Sequence, residues 1–143
     1  MRERGIFING HWEMHSGLET FTIFNPATGD RVGSTLLADA AIVDRAVGAA
    51  HAVRADFEAI GARARGDILR RAADLIDERT PDMARLLTEE QGKPVSDNIK
   101  EIAFGAEVLR YYAEEGTRVY GSIRPASAPD IRNLVMHQPV GVA

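Results

Sequence analysis

The spacing of apolar residues changes at Asp39, and that change constrains the fold more than any single motif does. Before Asp39, short β-type runs alternate with turn dipeptides. After it, apolar residues recur every three or four positions as far as Glu115, the period of an α-helix. A chain patterned in this way must pack several helices against one another or against a sheet, with a small β element at its front.

Within the front segment, Ile6-Phe7-Ile8 is a brief β run that ends at Asn9-Gly10, a dipeptide suited to tight hairpin turns because both positions tolerate positive φ. Thr20-Phe21-Thr22-Ile23-Phe24 is a second run, closed by Asn25-Pro26 and Thr28-Gly29-Asp30, and Val32 opens a third. The expected arrangement is a pair of hairpins.

Asp39 is a suitable N-cap. Ile42, Val43, Ala46, Val47, Ala50, Val53 and Phe57 then follow at helical spacing, predicting a first helix that continues through Phe57. A second helix is expected from about Arg63 to Arg79, with Ile68, Leu69, Ala72, Leu75 and Ile76 on its apolar face. Thr80-Pro81 predicts the start of a third, because proline at the first helical position forfeits no hydrogen bond. Gly92 followed by Pro94 should end it. A fourth helix is expected from about Ser96 to Glu115.

That fourth helix has two apolar stripes. Ile99, Ile102, Ala103, Ala106, Leu109 and Ala113 form one, and Phe104, Val108 and Tyr111 form another on a different side. A helix apolar on two sides normally lies between two layers, and the preceding segments suffice for one. The last residues, Leu134-Val135-Met136 and Pro139-Val140-Gly141-Val142-Ala143, read as a strand, a break and the start of another strand. Stopping inside an apolar run is unusual for a chain end. The expectation is therefore the front part of a longer protein.

Composition narrows the classes. Of 143 residues, 45% are hydrophobic and 27% charged, the balance of a globular chain rather than a disordered or fibrous one. No apolar run approaches the ~20 residues that span a bilayer, so no membrane partner is expected. The net charge of −4 is spread along the helices, unlike the concentrated positive face of a nucleic-acid binder. With no cysteine, these residues hold no disulfide, thiolate metal site or cysteine nucleophile. A reducing, cytoplasmic setting is expected.

No self-sufficient active site emerges. Gly92-Lys93 is followed by Pro94 and lacks the upstream glycine of a phosphate-cradling loop, so it reads as a helix stop. His11 and His15 are four apart but lie in hairpin sequence without an evident third ligand, and read as loop histidines. His51 and His137 have no neighbouring serine and carboxylate. In Glu89-Glu90 and Glu114-Glu115 the adjacent side chains point about 100° apart and do not face each other, which favours solvated helix surface.

The order of several segments resembles the NAD(P)-dependent aldehyde dehydrogenase superfamily. Phe7-Ile8-Asn9-Gly10-His11-Trp12 is similar to its opening Phe-Ile-Asn-Gly-x-Trp, and Asn25-Pro26-Ala27-Thr28-Gly29 to its Asn-Pro turn. Val43 to Val47, Ile68 to Ile76, Glu90-Gln91-Gly92-Lys93-Pro94 and Gln138-Pro139-Val140-Gly141-Val142 follow in the family's order. Thr88 to Pro94 and Tyr112 to Gly121 most resemble the succinate-semialdehyde dehydrogenase branch.

The resemblance implies an α/β fold in the complete protein, of which this chain is a helix-rich part with N-terminal β-hairpins, four helices and C-terminal strands. Residues 1–121 would form the N-terminal part of the dinucleotide-binding domain. Residues 122–139 would start an oligomerisation arm, and 140–143 the next strand. The implied activity is oxidation of a small-molecule aldehyde to a carboxylic acid with NAD or NADP, in a homo-oligomer. In the family a cysteine thiolate attacks the aldehyde, hydride passes to the nicotinamide and a glutamate activates water. No catalytic and no cofactor-binding residue carries over to this chain, which is expected to be inactive by itself. One site does carry over: some members hold a monovalent cation on backbone carbonyls before the Asn-Pro turn and a carboxylate before the Gly-Lys helix stop. The matching positions are Ile23, Phe24 and Glu90, with a further ligand in those relatives drawn from beyond residue 143, and oxygen donors suit such a cation. The alternatives are a free-standing helical interaction module that binds through Phe104, Val108 and Tyr111, and a non-functional truncated product.

Overall fold

The computed structural model describes residues 2–143. Strand β1 (Arg2–Arg4) is followed by β2 (Ile6–Ile8), β3 (His11–Glu13), β4 (Thr20–Phe24) and β5 (Arg31–Leu36). Asn9 and Gly10 both have positive φ, 49° and 82°, as a two-residue hairpin turn requires, and they close β2 on β3. Strands β4 and β5 form the second expected hairpin, but β1 adds to it in parallel, making a sheet of order β1-β5-β4. The parallel strand was not legible locally, because its partner lies about thirty residues further on. The β4–β5 register shifts between Ile23 and Phe24, which leaves Val32 with no residue opposite it.

Helix α1 (Ala40–Ala52) starts where expected, with the Asp39 carboxylate accepting from the Ile42 amide at 2.9 Å. The first helix does not continue through Phe57. It breaks at Val53, and a separate short α2 (Arg54–Ala59) carries Phe57. Of the expected stripe, only Ile42 is buried, while Val43, Val47, Val53 and Phe57 are about half exposed.

The predicted second and third helices are a single α3 (Ala62–Gln91) with Pro81 inside it. Thr80 is no cap, and its hydroxyl donates to the Ile76 carbonyl at 2.9 Å. Helix α4 (Val95–Glu115) returns antiparallel along α3 and supplies the reason for the continuity. Ala73 and Ala84 of α3, on either side of Pro81, are both fully buried, as are Ala106 and Ala113 of α4. The contact is close because the buried side chains are small. A Cβ on Gly66 would stand 2.8 Å from the Ala113 carbonyl oxygen. Packing along this seam outweighs the hydrogen bond that Pro81 removes.

Across the same helix pair, Arg110 reaches Asp74 at 3.1 Å and also pairs with Asp77, while Arg70 reaches Glu114 at 2.8 Å. The chain then forms an antiparallel ribbon of β6 (Ser122–Pro125) and β7 (Arg132–Val135), whose substantial contacts are only with each other. Residues 136–143 carry no strand. An extended run becomes one only when a neighbour takes its amide and carbonyl groups. No helix among the described residues is long and apolar enough to cross a membrane.

Candidate functional site

The residues singled out for a cation converge from two elements. Ile23 lies near the end of β4, and the following turn is closed on itself. The Asn25 amide donates to the Asp30 carbonyl and the Gly29 amide to the Asn25 carbonyl, both at 2.8 Å. The Asn25 side chain accepts from the Ala27 amide at 2.9 Å. Glu90 sits in the last turn of α3, just before Gly92, whose left-handed backbone (φ 75°) ends the helix.

Between them lies a cleft of about 300 Å³, lined by Ile23, the β5 segment from Val32 to Thr35, Leu86 and Glu90. Phe24 is the next residue in β4 but does not line the cleft, and its side chain is exposed. The cleft wall contains the register shift at Val32, where the ladder is interrupted, and the buried Ser34. One carboxylate beside irregular backbone is an oxygen donor set, chemically suited to a singly charged hard cation. Higher charge would call for more anionic ligands. Among the described residues no group of three or more His, Asp or Glu side chains comes together as a metal site.

Among the singled-out histidines and carboxylates, His15, Glu114 and Glu115 hold structural posts. His15 Nε2 is 2.9 Å from Glu13 Oε2, and Arg45 Nη2 donates to the same carboxylate at 2.8 and 2.7 Å, tying the β2–β3 hairpin to α1. The hydrogen bond from Arg45 is the main reason that Glu13 ionises below the usual carboxylate range. His11 lies in β3 opposite Ile8. Glu114 pairs with Arg70, and Glu115 with Arg118. Lys93, next to the helix-ending glycine, pairs with Glu101 rather than facing an open loop. These residues do not fit a dinucleotide phosphate.

One residue with a positional role gave no sequence signal. Asn98, in the first turn of α4, is fully buried. Its amide donates to Thr88 Oγ1 at 2.9 Å and to the Lys93 carbonyl at 3.2 Å, which fixes the turn between α3 and α4.

A larger cleft, about 870 Å³, lies between α1, α2 and residues 139–143. Its walls are apolar, from Ala50, Val53, Phe57, Val140 and Val142. Its polar groups are engaged with protein: Arg54 bonds Glu58 at 2.6 Å, and Arg65 donates to the Ile60 carbonyl. Such a groove suits packing against more protein better than it suits orienting a small molecule.

Comparison with known proteins agrees with this geometry. The profile of the aldehyde dehydrogenase family matches residues 12–143. A glutarate-semialdehyde dehydrogenase of Pseudomonas aeruginosa is 40% identical over 136 residues, covering 95% of this chain and 28% of the relative. An NADP-dependent succinate-semialdehyde dehydrogenase of Escherichia coli is 38% identical over 135 residues, covering 94% of this chain and 28% of that enzyme. The crystal structure of a succinate-semialdehyde dehydrogenase from Burkholderia pseudomallei superposes with a TM-score of 0.88 at 38% identity, over 98% of this chain and 29% of that one. The chain thus spans about 28% of the length of the curated relatives it matches.

Proposed function

Because this chain belongs to the aldehyde dehydrogenase family, we propose that it is the N-terminal portion of an enzyme that oxidises an aldehyde to a carboxylic acid with NAD or NADP. Succinate semialdehyde is the proposed substrate class, on the strength of the motifs in residues 88–94 and 112–121 and of the dicarboxylic semialdehydes named for its relatives. The nicotinamide, when bound, accepts the hydride. The residues of this chain contribute scaffold, with 1–121 forming part of the dinucleotide domain and 140–143 leading into its next strand. In that reading the apolar groove beside residues 139–143 is covered by the remainder of the enzyme. The single observation that carries the proposal is the family match along nearly the whole chain, over little more than a quarter of its relatives' length.

The β6–β7 ribbon, residues 122–139 with its surroundings, is proposed as an oligomerisation arm. Ile123 and Leu134 are paired across the strands and both are more than two-thirds exposed, and the ribbon's edges are open to pair with a second copy. The cleft at Ile23 and Glu90, with Phe24 beside it, is proposed to hold a monovalent cation that ties β4 to the end of α3. A cytoplasmic location belongs to the same reading.

A chimaera tests it. The E. coli succinate-semialdehyde dehydrogenase with its matched segment replaced by this chain should reduce NADP in the presence of succinate semialdehyde, while the 143-residue chain alone should give no turnover with any aldehyde. Turnover by the isolated chain, or a folded chimaera without activity, would overturn the proposal.

A further inference from the structure

A single contact joins the segments that carry the two walls of the Ile23–Glu90 cleft. Pro26 lies three residues after Ile23 and Gly92 two residues after Glu90, and the two meet. A Cβ built on Gly92 would stand 2.9 Å from Pro26 Cγ. That overlap is tighter than van der Waals contact allows, and neither side yields easily. Pro26 belongs to a turn closed by its own hydrogen bonds. Gly92 is held from the other side: its amide donates to the Thr88 carbonyl at 2.8 Å, and buried Asn98 fixes Thr88 and Lys93. Gly92 also takes φ 75°, where side chains are strained.

We propose that Gly92 is a positioning residue for the cation cleft. Its missing side chain lets the Asn25–Pro26 turn close on the end of α3, and this closure sets the distance between the Glu90 carboxylate and the Ile23 carbonyl. The inference rests on the cation reading above. In it, a side chain at position 92 opens the cleft although every oxygen donor remains, and a ring-less residue at position 26 relieves the overlap.

The test uses the full-length chimaera described above, carrying this chain, and thermal unfolding in sodium or potassium chloride against tetramethylammonium chloride at equal ionic strength. The unsubstituted chimaera is expected to melt higher in the alkali salts, and Glu90→Gln to lose that increment. Gly92→Ala should lose at least half of it. Gly92→Asn, which tolerates left-handed backbone and so preserves the fold, should lose a similar share because its Cβ meets the same proline. The double variant Gly92→Ala with Pro26→Ala should retain more of the increment than Gly92→Ala alone. A merely structural role would lower the melting temperature equally in both salts and leave the increment intact. That outcome, or a double variant no better than the single, would overturn the inference while the cation reading stood. An unsubstituted chimaera that melts alike in all salts would overturn both.

Discussion

Gly66 and Gly105 both lie inside helices, yet an alanine should act in opposite directions at the two. At Gly105 a Cβ meets nothing within 4 Å, so the better helix former should add about 0.5–1 kcal/mol of stability. At Gly66 it would press on the Ala113 carbonyl oxygen, which is backbone and cannot swing aside. The loss there should be about 1–3 kcal/mol, the usual result of overfilling a tight contact. Chemical denaturation of the two variants reads both signs. The Glu13 carboxylate offers a pH test. Its hydrogen bond from Arg45 depresses its pKa below 4.5, so its contribution to docking the hairpin is present above that value and lost as pH falls through the depressed one. Fluorescence of Trp12, the sole tryptophan, should report release of the β2–β3 hairpin on acidification. Arg45→Met should release it at neutral pH. A hairpin signal unchanged down to strong acid would contradict the clasp.

Helix boundaries were legible where local chemistry sets them. Asp39 caps α1 through its carboxylate, and Gly92 ends α3 in the left-handed conformation because it lacks a Cβ. Pro81 was misleading because the local rule for proline names two outcomes, a first-turn position or a strained interior one. The choice between them was made by α4, whose small residues pack against α3 on both sides of Pro81. Pro81→Ala should therefore stabilise the chain, by up to ~3 kcal/mol, because the interior position gains the hydrogen bond to the Asp77 carbonyl. A destabilised variant would show instead that Pro81 serves the packing. The break at Val53 has the converse explanation. The apolar period continues to Phe57, but little of the chain packs on that face to hold one straight helix.

For the molecule as a whole, the prominent feature is uncovered apolar surface. Phe104 is 69% exposed, Tyr111 59% and Val140 94%, so the second stripe of α4 and the final segment face solvent. Contiguous apolar surface of this kind marks an interface. The isolated chain should bind hydrophobic dyes and self-associate, as read by dye fluorescence and sedimentation. A monodisperse, dye-silent monomer would favour the independent helical module. The chain contains no cysteine, and His15, Glu13, Asp74, Asp77 and Glu114 are engaged in helix pairs and the hairpin clasp.

The sequence by itself determined the β-then-helix order of the chain, several of its caps and turns, and the family, because each depends on residues close together along the chain. It also brought Ile23 and Glu90 forward as partners, though only through resemblance. Tertiary structure decided what depends on distant residues meeting. It joined β1 to β5, carried α3 through Pro81, clasped Glu13 to Arg45, and closed Pro26 on Gly92. Such contacts follow from shape and from which small residues permit close approach, and no local pattern encodes them.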